Sequence, residues 1–133
     1  MPDVEYPSDR FDHQGVLSLV KELNLKDGKL YQYPVPAIKD LRAASHPFTA
    51  LSESKNSYEL ELNLTADADH EIVLFADKDG KGLRINFDLK EGQVTVDRSQ
   101  AGEPFALDFG TSRSCDIGKE ATSATIFIDK SIF

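Results

Sequence analysis

Between Tyr58 and Leu64 every second residue is apolar: Tyr58, Leu60, Leu62 and Leu64 alternate with Glu59, Glu61 and Asn63. A period of two puts the four apolar side chains on one face of an extended backbone and the three polar ones on the other, so the stretch reads as a half-buried strand. Segments of strand length follow at EIVLFA (71–76), LRINFDL (83–89), QVTVD (93–97), FALDF (105–109) and ATIFID (124–129), separated by DKDGKG, KEGQ and a longer polar stretch. Strands at such short spacing, with tight turns and no helical run between them, indicate an antiparallel architecture and exclude a parallel sheet. The expected fold is all-β: an antiparallel β-sandwich with two inner apolar faces. Its expected core is Leu60, Leu62, Ile85, Phe87, Val94, Val96, Ile126 and Ile128.

The first forty-odd residues differ in character. VLSLV (16–20) and LYQYPV (30–35) read as two strands joined through KELNLKDGK, in which Asp27-Gly28 is a turn signal. Pro34 and Pro36 stop the second strand from continuing as a central one. PAIKDLRAA (36–44) carries Ile38, Leu41 and Arg42 at helical spacing, which predicts a short linker helix before Pro47. The segment is a hairpin followed by a connector.

The chain has 133 residues, 40% of them apolar, which suffices for one core and not for two independent ones. Fifteen basic and twenty-three acidic residues give 15 − 23 = −8, and no Lys/Arg cluster offsets this locally. Such a surface repels phosphate backbones and anionic lipid, so no nucleic-acid and no membrane partner is expected. Cys115 is the single cysteine and cannot form an internal disulfide, and no apolar stretch is long enough for a signal segment or a membrane span. A reducing cytoplasm is the expected location.

Several stretches invite a chemical reading. DKDGKG places Asp77 and Asp79 before Gly80 as at the start of a calcium loop, but the later ligands of such a loop are missing. A turn between two strands explains the same residues. His13, His46 and His70 are dispersed, with no second ligand at metal-binding spacing, and read as surface or packing residues. Ser112, Ser114 and Cys115 form a cluster with no nearby histidine to activate them, and a lone cysteine of this kind reads as a small buried hydrophobe. The residues therefore assign no catalytic, metal or cofactor site.

Four places, taken in order, resemble glycoside hydrolase family 32, the group of invertases and sucrose-6-phosphate hydrolases. YPSDRFDHQGVLSLVKELNLKDGKLYQYPVPAIKDLR (6–42) is similar to the end of that family's catalytic propeller and the linker after it, with Lys21 in place of the usual Arg before Glu22-Leu23. VTVDRSQAG (94–102) resembles the Val-x-x-Asp-Arg-Ser signature of the family's C-terminal sandwich, and FGTSRSCDI (109–117) resembles the segment after it. IFIDKSIF (126–133) resembles an Asp-x-Ser segment that in the family continues into further strands.

The resemblance implies a division into residues 1–44, the end of a propeller blade with its linker, and residues 45–133, a truncated C-terminal β-sandwich. The strand pattern of Thr125 to Asp129 stops a few residues later at Phe133, and the expected parent continues past it and begins before Met1. The family's retaining chemistry uses carboxylates in Asn-Asp-Pro-Asn-Gly, Arg-Asp-Pro and Glu-Cys motifs, which none of the 133 residues reproduce: Asp9-Arg10 and Asp97-Arg98 run in the reversed order, and Ser114 precedes Cys115. Retaining hydrolysis needs two carboxyl groups about 5 Å apart. The implied function is thus non-catalytic support of a β-fructofuranosidase propeller, with Asp97, Arg98 and Ser99 as turn and network residues in which Asp97 and Arg98 pair. The implied partners are the catalytic propeller of the parent and, through exposed edges, further copies of the chain. The competing reading is an accessory carbohydrate-binding module, for which Tyr31 and Tyr33 are the candidate stacking residues.

Overall fold

The computed structural model of the chain describes residues 7–11, 17–48 and 57–129. Strands β1 (Lys21–Lys26) and β2 (Lys29–Pro34) pair antiparallel around Asp27-Gly28, from Lys26 opposite Lys29 to Lys21 opposite Pro34. Both turn residues have positive φ, 52° at Asp27 and 74° at Gly28, the conformation that matches a two-residue loop to the twist of its strands. This corrects the first strand of the hairpin. A two-residue turn makes its immediate neighbours pair, so KELNLK forms β1, whereas described residues 17–20 of VLSLV are not in a strand. Val20 contributes one further ladder bond, accepting from the Val35 N–H at 3.0 Å.

The expected linker helix is present as a 3₁₀ helix, Pro36–Leu41. Pro36 supplies a preset φ in its first turn. The helix ends at Arg42, whose N–H reaches the Lys39 carbonyl at 3.2 Å.

Six more strands follow: β3 (Ser57–Asn63), β4 (Asp69–Leu74), β5 (Leu83–Asp88), β6 (Gln93–Asp97), β7 (Ser112–Asp116) and β8 (Ser123–Asp129). Strands β4-β5-β6-β7 form a four-stranded antiparallel sheet in chain order, and β3 pairs with β8. The class is the expected all-β antiparallel β-sandwich, with its N-terminal hairpin and short linker helix. One expected strand is absent: FALDF holds a 3₁₀ turn, Leu107–Phe109, entered through Ala106 at φ 47°. One strand was not expected. SRSCD forms β7, an edge strand exposed along its whole length, and therefore lacks the apolar alternation by which strands are recognised.

The chain divides into two compact units, which among the described residues are 7–11 with 60–125, and 17–48 with 57–59 and 126–129. The first contains Leu60, Leu64, Leu74, Leu83, Ile85, Phe87 and Leu89, all buried, with Leu89 at 0% exposure. Register explains the set. Ile72, Ile85, Val96 and Arg113 lie in one cross-strand row and His70, Phe87, Val94 and Cys115 in a second on the same face. The row Glu71, Asn86, Thr95, Ser114 lies on the other face. Along the first two rows burial is complete at β5, partial at β6 and lost at β7. Of the expected core, Leu60, Ile85, Phe87 and, in the second unit, Ile128 are buried, whereas Leu62, Val94, Val96 and Ile126 are half-buried. Each fully buried side chain of this size contributes about 1.5–3 kcal/mol of transfer free energy.

Candidate functional site

The segment that departs most from plain strand-and-turn geometry is the β6–β7 connection, which begins with Asp97-Arg98-Ser99. Strand β6 delivers Asp97 and Arg98 to its end, where alternation sends consecutive side chains in opposite directions. The Asp97 carboxylate accordingly turns to the residue two positions on: Oδ1 accepts from the Ser99 N–H at 2.8 Å and Oδ2 from Ser99 Oγ at 2.9 Å. This is an Asx turn closed by the serine, as the sequence suggests. The expected Asp97–Arg98 pair does not form.

Arg98 reaches across the connection instead. Its Nη1 donates to the Phe105 carbonyl at 2.8 Å, and its Nη2 to the carbonyls of Ala106 and Gly110, each at 3.0 Å. The guanidinium lies 4.5 Å from the centre of the Phe105 ring, within cation–π range. The Arg98 N–H donates to Thr111 O at 2.9 Å, holding the two ends of the connection together. A planar fork with five donors suits several carbonyls at once, and these carbonyls surround Ala106, whose left-handed backbone breaks regular pairing. Arg113 supports the same turn from β7, donating to Ser112 O at 2.7 Å and to Phe109 O. Phe105, Ala106 and Arg113 carry no signal in the sequence, because their roles depend on backbone carbonyls that no motif displays. The side-chain bonds of Asp97, Arg98 and Arg113 all run to the connection and its two ends, which is the chemistry of a structural corner.

The remaining candidates are placed as follows. Asp77 accepts at Oδ1 from the N–H groups of Asp79 (2.8 Å) and Lys81 (2.9 Å), while the Gly80 N–H closes a turn on Asp77 O at 3.0 Å. These bonds, the one from Lys81 first, hold the Asp77 carboxyl below its ordinary range. The loop is longer than the tight hairpin the sequence suggests, since Leu74 pairs with Leu83 and 75–82 intervene. His70 Nε2 accepts from the Thr65 N–H at 2.9 Å, a local packing role, His46 is exposed, and His13 lies outside the described residues. Cys115 is exposed on β7, which corrects its reading as a buried hydrophobe: the apolar face loses its cover at that edge. Tyr31 and Tyr33 share one face of the hairpin, opposite Asn24 and Glu22, and are exposed. Arg42 forms a two-pronged contact with Glu59, 2.8 Å from Nε to Oε2 and 2.6 Å from Nη2 to Oε1. Among the described residues no group of three acidic, histidine or cysteine side chains is arranged to hold a metal ion, and no helix is long and apolar enough to cross a membrane.

The antiparallel sandwich, with Asp-Arg-Ser at the end of β6, fits the family-32 resemblance of the sequence. The family model described as "Glycosyl hydrolases family 32 C terminal" matches residues 33–133, and the chain belongs to that family. Among relatives, it is 53% identical over 133 residues to the sucrose-6-phosphate hydrolase of Streptococcus mutans and 36% identical over 140 residues to that of Pediococcus pentosaceus. Each alignment takes in 100% of the chain and 28% of the relative, so the chain spans little more than a quarter of the proteins it matches. The solved structure of sucrose-6-phosphate hydrolase from Lactobacillus gasseri superposes with a TM-score of 0.82 at 32% identity, over 98% of this chain and 28% of that one.

Proposed function

We propose that this chain is the non-catalytic C-terminal part of a cytoplasmic β-fructofuranosidase acting on sucrose-6-phosphate, and that it serves to support and orient the catalytic part. The observation that carries this reading is the match of the whole chain to the Streptococcus mutans hydrolase at 53% identity. In this reading residues 1–44 complete the last blade of the catalytic propeller and link it to the sandwich of 45–133. Surface character supports the division: eight of the twelve large apolar side chains exposed among the described residues, from Leu17 to Leu41, lie within residues 1–44. On the hairpin, Leu23, Leu25 and Leu30 share one face and Tyr31 and Tyr33 the other, so both faces offer surface for neighbouring structure.

The test is complementation. The chain incubated with sucrose-6-phosphate releases no fructose above blank. The polypeptide extended upstream to include an Asn-Asp-Pro-Asn-Gly motif hydrolyses it, and loses stability or turnover when residues 45–133 are removed. Hydrolysis by the isolated chain, abolished by replacing one of its own carboxylates, would refute the proposal.

A second reading, a sugar-binding module, is favoured by Tyr31 and Tyr33, 38% and 57% exposed on one hairpin face. Titration with sucrose, fructose and inulin separates the two. Saturable binding that is lost in Tyr33→Ala supports the module, and a flat titration supports the propeller contact.

A further inference from the structure

Arg42 follows the connector helix Pro36–Leu41, and Glu59 is the third residue of the sandwich strand β3. The sequence places Glu59 on the polar face of β3 with Glu61 and Asn63, where a solvated carboxylate is the ordinary expectation. Its side chain is instead only 16% exposed, against 44% for Arg42, and both carboxylate oxygens face the guanidinium, at 2.8 and 2.6 Å. Bidentate, charge-assisted geometry with one partner largely covered distinguishes this contact from the other arginine–carboxylate pairs among the described residues. Arg10–Glu103 is 68% and 58% exposed and Arg84–Glu71 34% and 49%.

Its position in the chain adds meaning. The two residues are 17 apart, and the described residues between them on the connector side, 43–48, are exposed. Arg42 also ends the Pro36–Leu41 helix through its own N–H. The fork therefore fastens the end of a helix that leads directly back to β2 onto the first residues of β3, all within one compact unit.

We infer that Arg42 is a positioning residue: its fork onto Glu59 is the clamp that sets the connector, and the hairpin it carries, on the first strand of the sandwich. Arginine is required because lysine, a point charge, cannot engage both oxygens in one plane. The inference concerns the geometry of this chain and stands apart from the activity proposed above.

Trypsin cleavage after Lys39 and hydrogen exchange of the amides of 37–42 report the connector, and urea unfolding reports the sandwich. In Arg42→Ala and in the near-isosteric Glu59→Gln, cleavage after Lys39 and exchange are expected to rise about fivefold while the urea midpoint stays within error. Arg42→Lys retains part of the protection, and the exchanged pair R42E/E59R recovers more than either single charge reversal. Unchanged cleavage and exchange in both single variants would overturn the clamp. So would a urea midpoint that falls in step with them, since that would make the pair an ordinary stability contact.

Discussion

Arg98 and Asp77 show how a charged side chain is put to structural use. Arg98 satisfies three carbonyls of one irregular turn, and two of these bonds, to Phe105 O and Ala106 O, are partly buried, so its loss leaves those two acceptors without a donor where water has limited access. Arg98→Ala is expected to destabilise the sandwich by about 2 kcal/mol in urea unfolding, and Arg98→Lys by nearly as much, because one ammonium cannot reach three carbonyls. Asp97→Ala, which removes only an exposed turn, is expected to cost about 1 kcal/mol or less. Equal effects for Arg98→Lys and wild type would show that charge alone holds the corner. Asp77 makes a pH-dependent prediction. Its carboxyl is held below the ordinary aspartate range by backbone N–H groups, that of Lys81 first, so its contribution to the turn is complete above that range and is lost as the pH falls through the lowered value. The amide resonances of Asp79 and Lys81 should therefore titrate together with a midpoint below the ordinary aspartate range, and Asp77→Asn should abolish the titration.

Glycines mark where the elements meet. Gly28 closes the β1–β2 hairpin at φ 74° with open space around it, so Gly28→Ala meets backbone strain alone and is expected to weaken hairpin amide protection by about 1 kcal/mol. At Gly82, just before β5, a Cβ would lie 2.4 Å from Leu74 O and 3.0 Å from Val73 Cγ1. Gly82→Ala must push the β4 and β5 strand ends apart and is expected to cost about 2–3 kcal/mol, measured by urea unfolding. An effect no larger than that of Gly80→Ala, where no atom lies within 4 Å, would contradict this. Strand legibility follows the same physics of surroundings. QVTVD is bounded as a strand where the structure bounds it, and LRINFDL to within one residue, because one face of each meets the core. SRSCD escapes notice because no face of it does, and FALDF misleads because its apolar residues serve an arginine-braced turn.

Taken whole, the chain carries two kinds of surface. The sandwich strands present charged residues outward, while the hairpin and connector expose leucines and tyrosines on both faces. Sedimentation velocity over a concentration series is expected to show reversible self-association of the isolated chain through this hairpin, reduced by Leu25→Lys; a single monomeric species at high concentration would count against it. The all-β class, the antiparallel order and the buried β5 side chains were legible in the one-dimensional pattern, because alternation and Asp-Gly turns are local and a strand with one buried face must display them. So was the family, through the ordered Asp-Arg-Ser and flanking segments. The partners of Arg98, the edge position that bares Cys115 and the seating of Arg42 on Glu59 were not, for a shared reason. Each joins groups distant along the chain or made of backbone, and such a contact exists once folding has brought carbonyls, strand edges and carboxylates to the same place.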